Sequence, residues 1–273
     1  RATDAIRERL EQRDFLCLVT SCQGPIVHGL DGWTNPISVE WAVGYEGIDS
    51  PFCAFESYAW MHHVYGIKGI RDANGRQFDT VIHNFFDPAE FHTAEPADYL
   101  LYVGRFIPLK GVQVAADLAR RAGRPLLVAG HGATFSSEGL IESPEITIEG
   151  DVQYLGPVGF EARADLMAGA YAVLTPTLYV EPFGGVAVEA MMCGTPVVAS
   201  DWGSFTEIVT PDVGRRFRTL RQGDRAVNEV GELDRDAIRQ AAISRWSLDA
   251  IGPRFTAWFD SLYTLWDEDG YNA

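Results

Sequence analysis

Long apolar runs are missing from this 273-residue chain. The longest, such as Pro196-Val-Val-Ala199 and Pro125-Leu-Leu-Val-Ala129, are far too short to cross a bilayer, so no transmembrane segment is expected. Basic charge is scarce as well. Twenty-two Lys and Arg stand against 38 Asp and Glu, a net −16, and this lacks the basic footprint of a general nucleic-acid binder. Stable nucleic-acid binding is therefore not expected. Cysteine is sparse: Cys17, Cys22, Cys53 and Cys193 are scattered without CxxC spacing. That pattern fits thiols in a reducing compartment, the cytoplasm, better than a disulfide framework or a metal knot. Internal repeats and low-complexity segments are absent. The opening "RATDAIRERLEQRD" is charged and amphipathic rather than a signal peptide, and the lack of an initiating methionine leads us to expect a longer parent product.

What is present can build a core, since 47% of the residues are hydrophobic. From about residue 100, "YLLYVGRF", "RPLLVAGHG", "YAVLTPT" and "TPVVASD" are apolar throughout rather than alternating. Helical patterns separate them: "GVQVAADLARRAG" places Val112, Ala115, Leu118 and Ala119 on one face, and "FEARADLMAGA" and "VAVEAMMCG" follow. "ITIEGDVQYLGPV" holds one or two further strands. Unbroken apolar strands between helices predict a doubly wound parallel sheet covered on both faces, with ligands beyond the strand carboxyl ends.

The first hundred residues read as part of a second α/β unit. "DFLCLVTS", "ISVEWAVG", "FCAFES" and "FDTVIHN" are its strands, and "RATDAIRERLEQ" and "SYAWMHHVYG" its helices. "DPAEFHTAEPAD" (87–98) reads as the linker, and the tail "SLDAIGPRFTAWFDSLYTLW" as helix interrupted at Gly252-Pro253. The expected division is a partial amino-terminal domain over 1–95, a complete second domain over 96–245, and closing helices over 246–273 that pack back on the first.

Two stretches carry possible chemistry. In "GRFIPLKG", Arg105 and Lys110 sit five residues apart at a strand end. Two cations there suit a phosphate or diphosphate, while surface cations near a helix start are the plainer reading. In "EPFGGVAVE", Glu181 and Glu189 flank Phe183, Gly184 and Gly185. Glycine inside a helix costs about 1 kcal/mol relative to alanine, so the pair points to a helix entrance that something approaches. Free N–H groups at Phe183 to Val186 would bind an anion, and Glu189, a turn inside, would accept hydrogen bonds from a vicinal diol such as a ribose. Equally open at this point is Glu181 as a helix cap and Glu189 as a solvent-facing acid. A further run, "GRRFRTLRQGDR" (214–225), holds five arginines and reads as a solvated face, or as a patch for an anionic surface or acceptor.

"YVGRFIPLKG", "EPFGGVAVEA" and "CGTPVVASDWGSFTEIV" resemble the donor-binding half of retaining GT-B glycosyltransferases of the family 4 type. The family's Glu-x7-Glu is met by Glu181 and Glu189, and its Gly-Arg…Lys-Gly loop by Gly104, Arg105, Lys110 and Gly111. "TVIHNFFDPAEF" and "AISRWSLDAIGPRFTAWFDSLYTL" are similar to its interdomain segment and closing helices. The resemblance runs from about residue 78 to the end. It implies a GT-B-like pairing of a complete Rossmann-like donor domain with a partial second one, and metal-independent transfer from a UDP- or GDP-linked sugar with retention. Arg105 and Lys110 would hold the diphosphate, with the amides of Phe183, Gly184, Gly185 and Val186 lining it. Glu189 would hold the ribose, Glu181 the donor sugar, and the turn near Val158 the nucleobase. No cofactor and no metal are implied, and "DRD" (234–236) and "DED" (267–269) are chance matches to a metal-binding Asp-x-Asp.

The family's glycine-rich loop near the amino terminus is not met here, so the first part of the acceptor-side domain is expected to be missing. Where many members carry a histidine, this chain has Val43-Gly44-Tyr45; His28, His62 and His63 remain candidates for a polar contact. The acceptor is open: a saccharide, a lipid, a small molecule or a modified base. Alternatives to a transferase are another GT-B enzyme, such as a sugar-nucleotide epimerase, and a donor-binding fragment or subunit that needs a partner.

Overall fold

The structure is a computed structural model that describes residues 1–11, 13–19, 22–30, 36–70, 76–135, 140–148 and 151–267. Two compact units divide the chain, one of Arg1–Asn84 with Asp249–Ala273 and one of Phe85–Leu248.

The first unit begins with α1 (Ala2–Arg7), β1 (Phe15–Leu18), α2 (Gly24–Gly29), β2 (Ile37–Val43), β3 (Phe52–Phe55), α3 (Tyr58–Lys68) and β4 (Thr80–Val81). Its strands pair in parallel in the order β1-β2-β3-β4. The four strands coincide with the apolar runs of the sequence. Ser57 caps α3 by accepting a hydrogen bond from the Trp60 amide, 3.1 Å away. β2 carries an irregularity between Glu40 and Val43, where Ala42 takes φ +51°. Glu40 is fully buried beside it, and its Oε1 accepts hydrogen bonds from the amides of Asp49 (2.7 Å) and Ser50 (3.2 Å).

The second unit holds β5 (Leu100–Val103), α4 (Val112–Ala122), β6 (Leu126–Ala129), β7 (Thr134–Phe135), β8 (Ile141–Glu142), β9 (Thr147–Ile148), β10 (Val152–Gly156) and α5 (Phe160–Gly169). It continues with β11 (Ala172–Thr175), α6 (Gly185–Met192), β12 (Val197–Ser200), α7 (Phe205–Ile208), β13 (Gly214–Phe217), α8 (Leu220–Glu229) and α9 (Arg235–Trp246). Six strands form a parallel sheet ordered β10-β6-β5-β11-β12-β13. Alternate residues of one strand serve opposite faces. Leu100 and Tyr102 of β5 pack with Leu118 of α4 and Val227 of α8, whereas Leu101 packs with Met167 of α5, Val188 of α6 and Ile238 of α9. That two-sided burial is why these strands read as continuous apolar runs. Thr219 and Gln222 cap α8 with a reciprocal pair of hydrogen bonds.

The closing helix α10 (Leu248–Tyr263) buries Ile251, Trp258 and Leu262 against Ile37, Val39, Ala54 and Ile82 of the first unit. It runs unbroken through Gly252-Pro253, correcting the expected interruption. Pro253 stands close to the helix start, so its missing N–H removes a single bond near an end where several are unmade anyway. Further elements differ from expectation: α1 is shorter, α2 is new, β7 and β8 join β9 in a small antiparallel sheet, and the start of the basic run is β13, an edge strand of the six-stranded sheet rather than a solvated face.

Candidate active site

The order of the six-stranded sheet reverses between β5 and β11: the chain leaves β5 toward β6 on one side and leaves β11 toward β12 on the other. Such a switch point opens a crevice at the strand carboxyl ends. A cavity of about 300 Å³ lies there, lined among others by Lys110, Glu181, Gly184, Gly185, Val186 and Glu189.

Lys110 ends a tight 3-10 turn, Pro108–Lys110, directly after β5. Gly111 follows with φ +73°, and a Cβ there would run into the carbonyl of Pro176, so glycine is required for the two strand-end loops to meet. Lys110 Nζ lies 2.8 Å from Glu181 Oε2, 3.1 Å from Oε1 and 2.6 Å from Tyr179 Oη. Burial, and then the Glu181 charge, push the Tyr179 hydroxyl above its ordinary range; the same two causes raise Tyr102. Both phenols therefore stay protonated at neutral pH. Ser204 holds the Glu181 segment from the loop after β12: its amide donates to the Glu181 carbonyl and its hydroxyl to the Phe183 carbonyl.

Gly184 caps α6 in the left-handed region, φ +86°, and a Cβ there would strike the ring of Phe205. Its glycine is thus explained by backbone and packing alone. Gly185 is different: a Cβ there would meet Phe86 Cζ at 3.6 Å, an ordinary contact. The first amides of α6 have no acceptor within the helix, and no side chain caps them. Glu181 pairs with Lys110 and does not cap α6.

Glu189 is no solvent-facing acid, its side chain being 13% exposed. Arg163 Nη2 donates to Glu189 Oε1 at 3.1 Å, and Arg163 Nε lies 3.0 Å from Oε2. The second contact is an ion pair by distance only, because Oε2 is enclosed and accepts no hydrogen bond among the described residues. Burial raises the Glu189 carboxyl above its usual range, with Arg163 opposing. Neither Arg163 nor Tyr179 has a local signal in the sequence.

The other predicted residues are not in the wall of this cavity. Arg105 is exposed after β5 and, among the described residues, has no side-chain hydrogen bond or ion pair. Gly104 precedes it, its amide bonded to the Ala129 carbonyl. Phe183 is buried, and Val158 sits on the connection from β10 to α5. His28 belongs to α2, and His62 and His63 to α3, where His63 Nε2 lies 3.5 Å from Glu46. In the basic run, Arg215 pairs with Glu229, while Arg216 and Arg218 share Asp201. Asp234 caps α9, accepting from the amides of Asp236 and Ala237, and the last two acids of "DED" lie outside the described residues. A larger cavity of about 410 Å³ lies over the ends of β11, β12 and β13, with Trp202 and Leu178 in its wall. Its cation, Arg218, is bound to Asp201 as Lys110 is to Glu181; what sets the switch-point cavity apart is the uncapped entrance of α6 in its wall.

Residues 85–230 match the family described as glycosyl transferases group 1. The chain belongs to that family. Similar proteins include the phosphatidyl-myo-inositol mannosyltransferase of Mycolicibacterium smegmatis, 32% identical over 155 residues, covering 54% of this chain and 39% of that protein. The D-inositol 3-phosphate glycosyltransferase of Rhodococcus erythropolis is 37% identical over 148 residues, 49% of this chain and 32% of that one. The chain spans about two fifths of the length of the curated relatives it matches, 39% for the first two. Among solved structures, AviGT4, a glycosyltransferase involved in avilamycin A biosynthesis, superposes with TM-score 0.69 at 26% identity, over 96% of this chain and 78% of that one. HepE of Anabaena, solved in complex with UDP-glucose, superposes with TM-score 0.72 at 20% identity, over 95% and 81%. The glycosyl transferases group 1 chain thus has the α/β, GT-B-like fold, with two Rossmann-like parallel sheets.

Proposed function

We propose that this protein transfers a sugar from a nucleoside diphosphate sugar to an acceptor hydroxyl, with retention and without a metal. The observation that carries the reading is the convergence of Lys110, Glu181, Glu189 and the open amides of Gly184, Gly185 and Val186 on one cavity at the sheet's switch point. UDP and UDP-glucose in the HepE structures support a nucleotide sugar as donor. The relatives' mannosyl- and glycosyltransferase names support glycosyl transfer.

In this reading Arg105 and Lys110 take the diphosphate, together with the α6 amides. Phe183 supplies a backbone contact, Glu189 the ribose acceptor, Glu181 the contact to the donor sugar, and the turn at Val158 the nucleobase. The acceptor oxygen bonds to the anomeric carbon on the face from which the diphosphate oxygen departs, and that phosphate oxygen receives the acceptor's proton. Negative charge grows on the leaving group, where preorganised donors lower a barrier by about 3 kcal/mol each. Fixed cations and a helix entrance would stand where other enzymes use a metal. The unbridged thiols of Cys17, Cys53 and Cys193 support a reducing compartment, the cytoplasm.

The test is calorimetric titration with UDP and GDP, followed by a screen of UDP- and GDP-sugars for release of free nucleotide. Saturable binding of one nucleoside diphosphate and slow hydrolysis of one matching sugar donor are expected. A chain that binds neither nucleotide nor any donor would refute the reading.

A further inference from the structure

We propose that Arg163 is a positioning residue for nucleotide binding: it holds Glu189 charged and oriented, so that ribose recognition depends on a guanidinium that does not itself touch the ligand. This rests on the reading above that Glu189 accepts the ribose hydroxyls.

The geometry is a side-on pair, with Nη2 donating to Oε1 at 3.1 Å and Nε 3.0 Å from Oε2. Oε2 is enclosed and, among the described residues, receives no hydrogen bond. An enclosed carboxylate oxygen without a donor favours the protonated acid unless a fixed positive charge stands beside it. The groups facing Glu189 supply one such charge. Glu90, from the 3-10 turn Pro88–Glu90, repels it. Cys193, at the end of α6, is neutral because burial pushes its thiol up to about 11. Among the described residues, Arg163 is the cation that opposes both burial and Glu90. It is itself held in place, its guanidinium 5.2 Å from the centre of the Phe160 ring.

Arg163 also has a particular place in the chain. It stands in the first turn of α5, directly after the β10 to α5 connection that carries Val158. The element that would meet the nucleobase therefore also presents the cation that orders the ribose carboxylate on α6. Recognition of base and ribose would be joined through one helix turn.

A purely structural bridge between α5 and α6 would affect all ligands alike and would not respond to the ribose. The experiment uses Arg163→Met and Arg163→Lys beside the wild-type chain. Each is titrated with whichever of UDP or GDP binds, and with its 2′,3′-dideoxy counterpart, at neutral pH and at successively lower pH. We expect Arg163→Met to lose affinity for the normal nucleotide about tenfold at neutral pH, the scale of one charge-assisted contact. The dideoxy nucleotide should be unaffected. The loss should deepen as pH falls, because a more easily protonated Glu189 donates rather than accepts. Arg163→Lys should recover most of the affinity. Equal losses for both ligands, or Arg163→Met binding with a wild-type pH profile, would overturn the role of Arg163. If the wild-type chain binds both ligands equally, the ribose assignment of Glu189 fails first and takes this inference with it.

Discussion

Lys110 directs its ammonium at three oxygens of its own chain, one on Tyr179 and two on Glu181, all within 3.1 Å. An ammonium has three protons, so the pair is saturated without ligand. A diphosphate that recruits Lys110 must share it with Glu181 or draw it away.

Lys110→Met leaves the Glu181 carboxylate, only 10% exposed, without its ion-pair partner. The expected loss in urea unfolding is about 3 kcal/mol, the lower end of the range for breaking a buried pair. Glu181→Gln should cost less, since Lys110 is more exposed and can turn toward water. The double variant should be more stable than Lys110→Met alone. Wild-type stability of Lys110→Met would show that the pair contributes nothing to the fold.

Gly184 and Gly185 should separate cleanly on substitution to alanine. At Gly184 the left-handed φ and the Phe205 ring together should cost about 2 kcal/mol or more, seen as a lower Tm. Gly185→Ala should keep its Tm, because the added methyl has room beside Phe86. Its nucleoside diphosphate affinity should nevertheless fall if the helix entrance receives the ligand. A Gly185→Ala protein that melts and binds like wild type would remove this amide from the site.

Arg105 is exposed and makes no ion pair among the described residues, so Arg105→Ala should shift stability by less than about 0.5 kcal/mol. Its effect should fall on ligands that carry phosphate. Affinity for the nucleoside diphosphate should drop about tenfold or more, the scale of a charge-assisted contact, with the nucleoside little changed. Equal effects on both would take Arg105 out of the phosphate site.

Glu40 gives a pH test in the first unit. Burial raises its carboxyl, although two backbone amides stabilise the charge. A raised folded-state value means that the ionised form disfavours folding above that value, and that this penalty disappears below the unfolded one. Glu40→Gln keeps an oxygen for the amides of Asp49 and Ser50 while removing the charge. It should be as stable as wild type, or more so, at neutral pH, with the advantage vanishing in acid below about pH 4, near the ordinary Glu range. Stability curves that run parallel from neutral pH into acid would contradict this.

Much of the architecture is readable in the sequence because its strands are buried on both sides. The segments that became β5, β6, β11 and β12 could not be mistaken for alternating surface strands. What escaped detection is short or shallow. α2 has six residues with only Gly24 buried, so it carries no apolar stripe, β7 and β8 have two residues each, and β13 lies within the five-arginine run, whose charges mask its buried Gly214 and Phe217. Pro253 misled for the opposite reason: its effect depends on where in the helix it falls, which residue type alone does not state. In the site, Lys110 and Glu181 stand out because each lies beside glycine or proline at a strand end, and Glu189 because it follows the glycine pair by one helical turn. Arg163 and Tyr179 do not, since each gains its meaning from a partner 26 and 69 positions away respectively.

The walls of the switch-point cavity come from chain segments that meet late. Lys110 and Glu181 are 71 positions apart, and the whole β6 to β10 excursion lies between the two strands they follow. Closing so long a loop is slow compared with forming the local helices, so neither half of the sheet contains the cavity before β5 and β11 join. The cavity is therefore a marker of completed assembly. Any ligand that fills it makes the opening of that central junction less favourable by mass action, acting as a fastener between two folding segments.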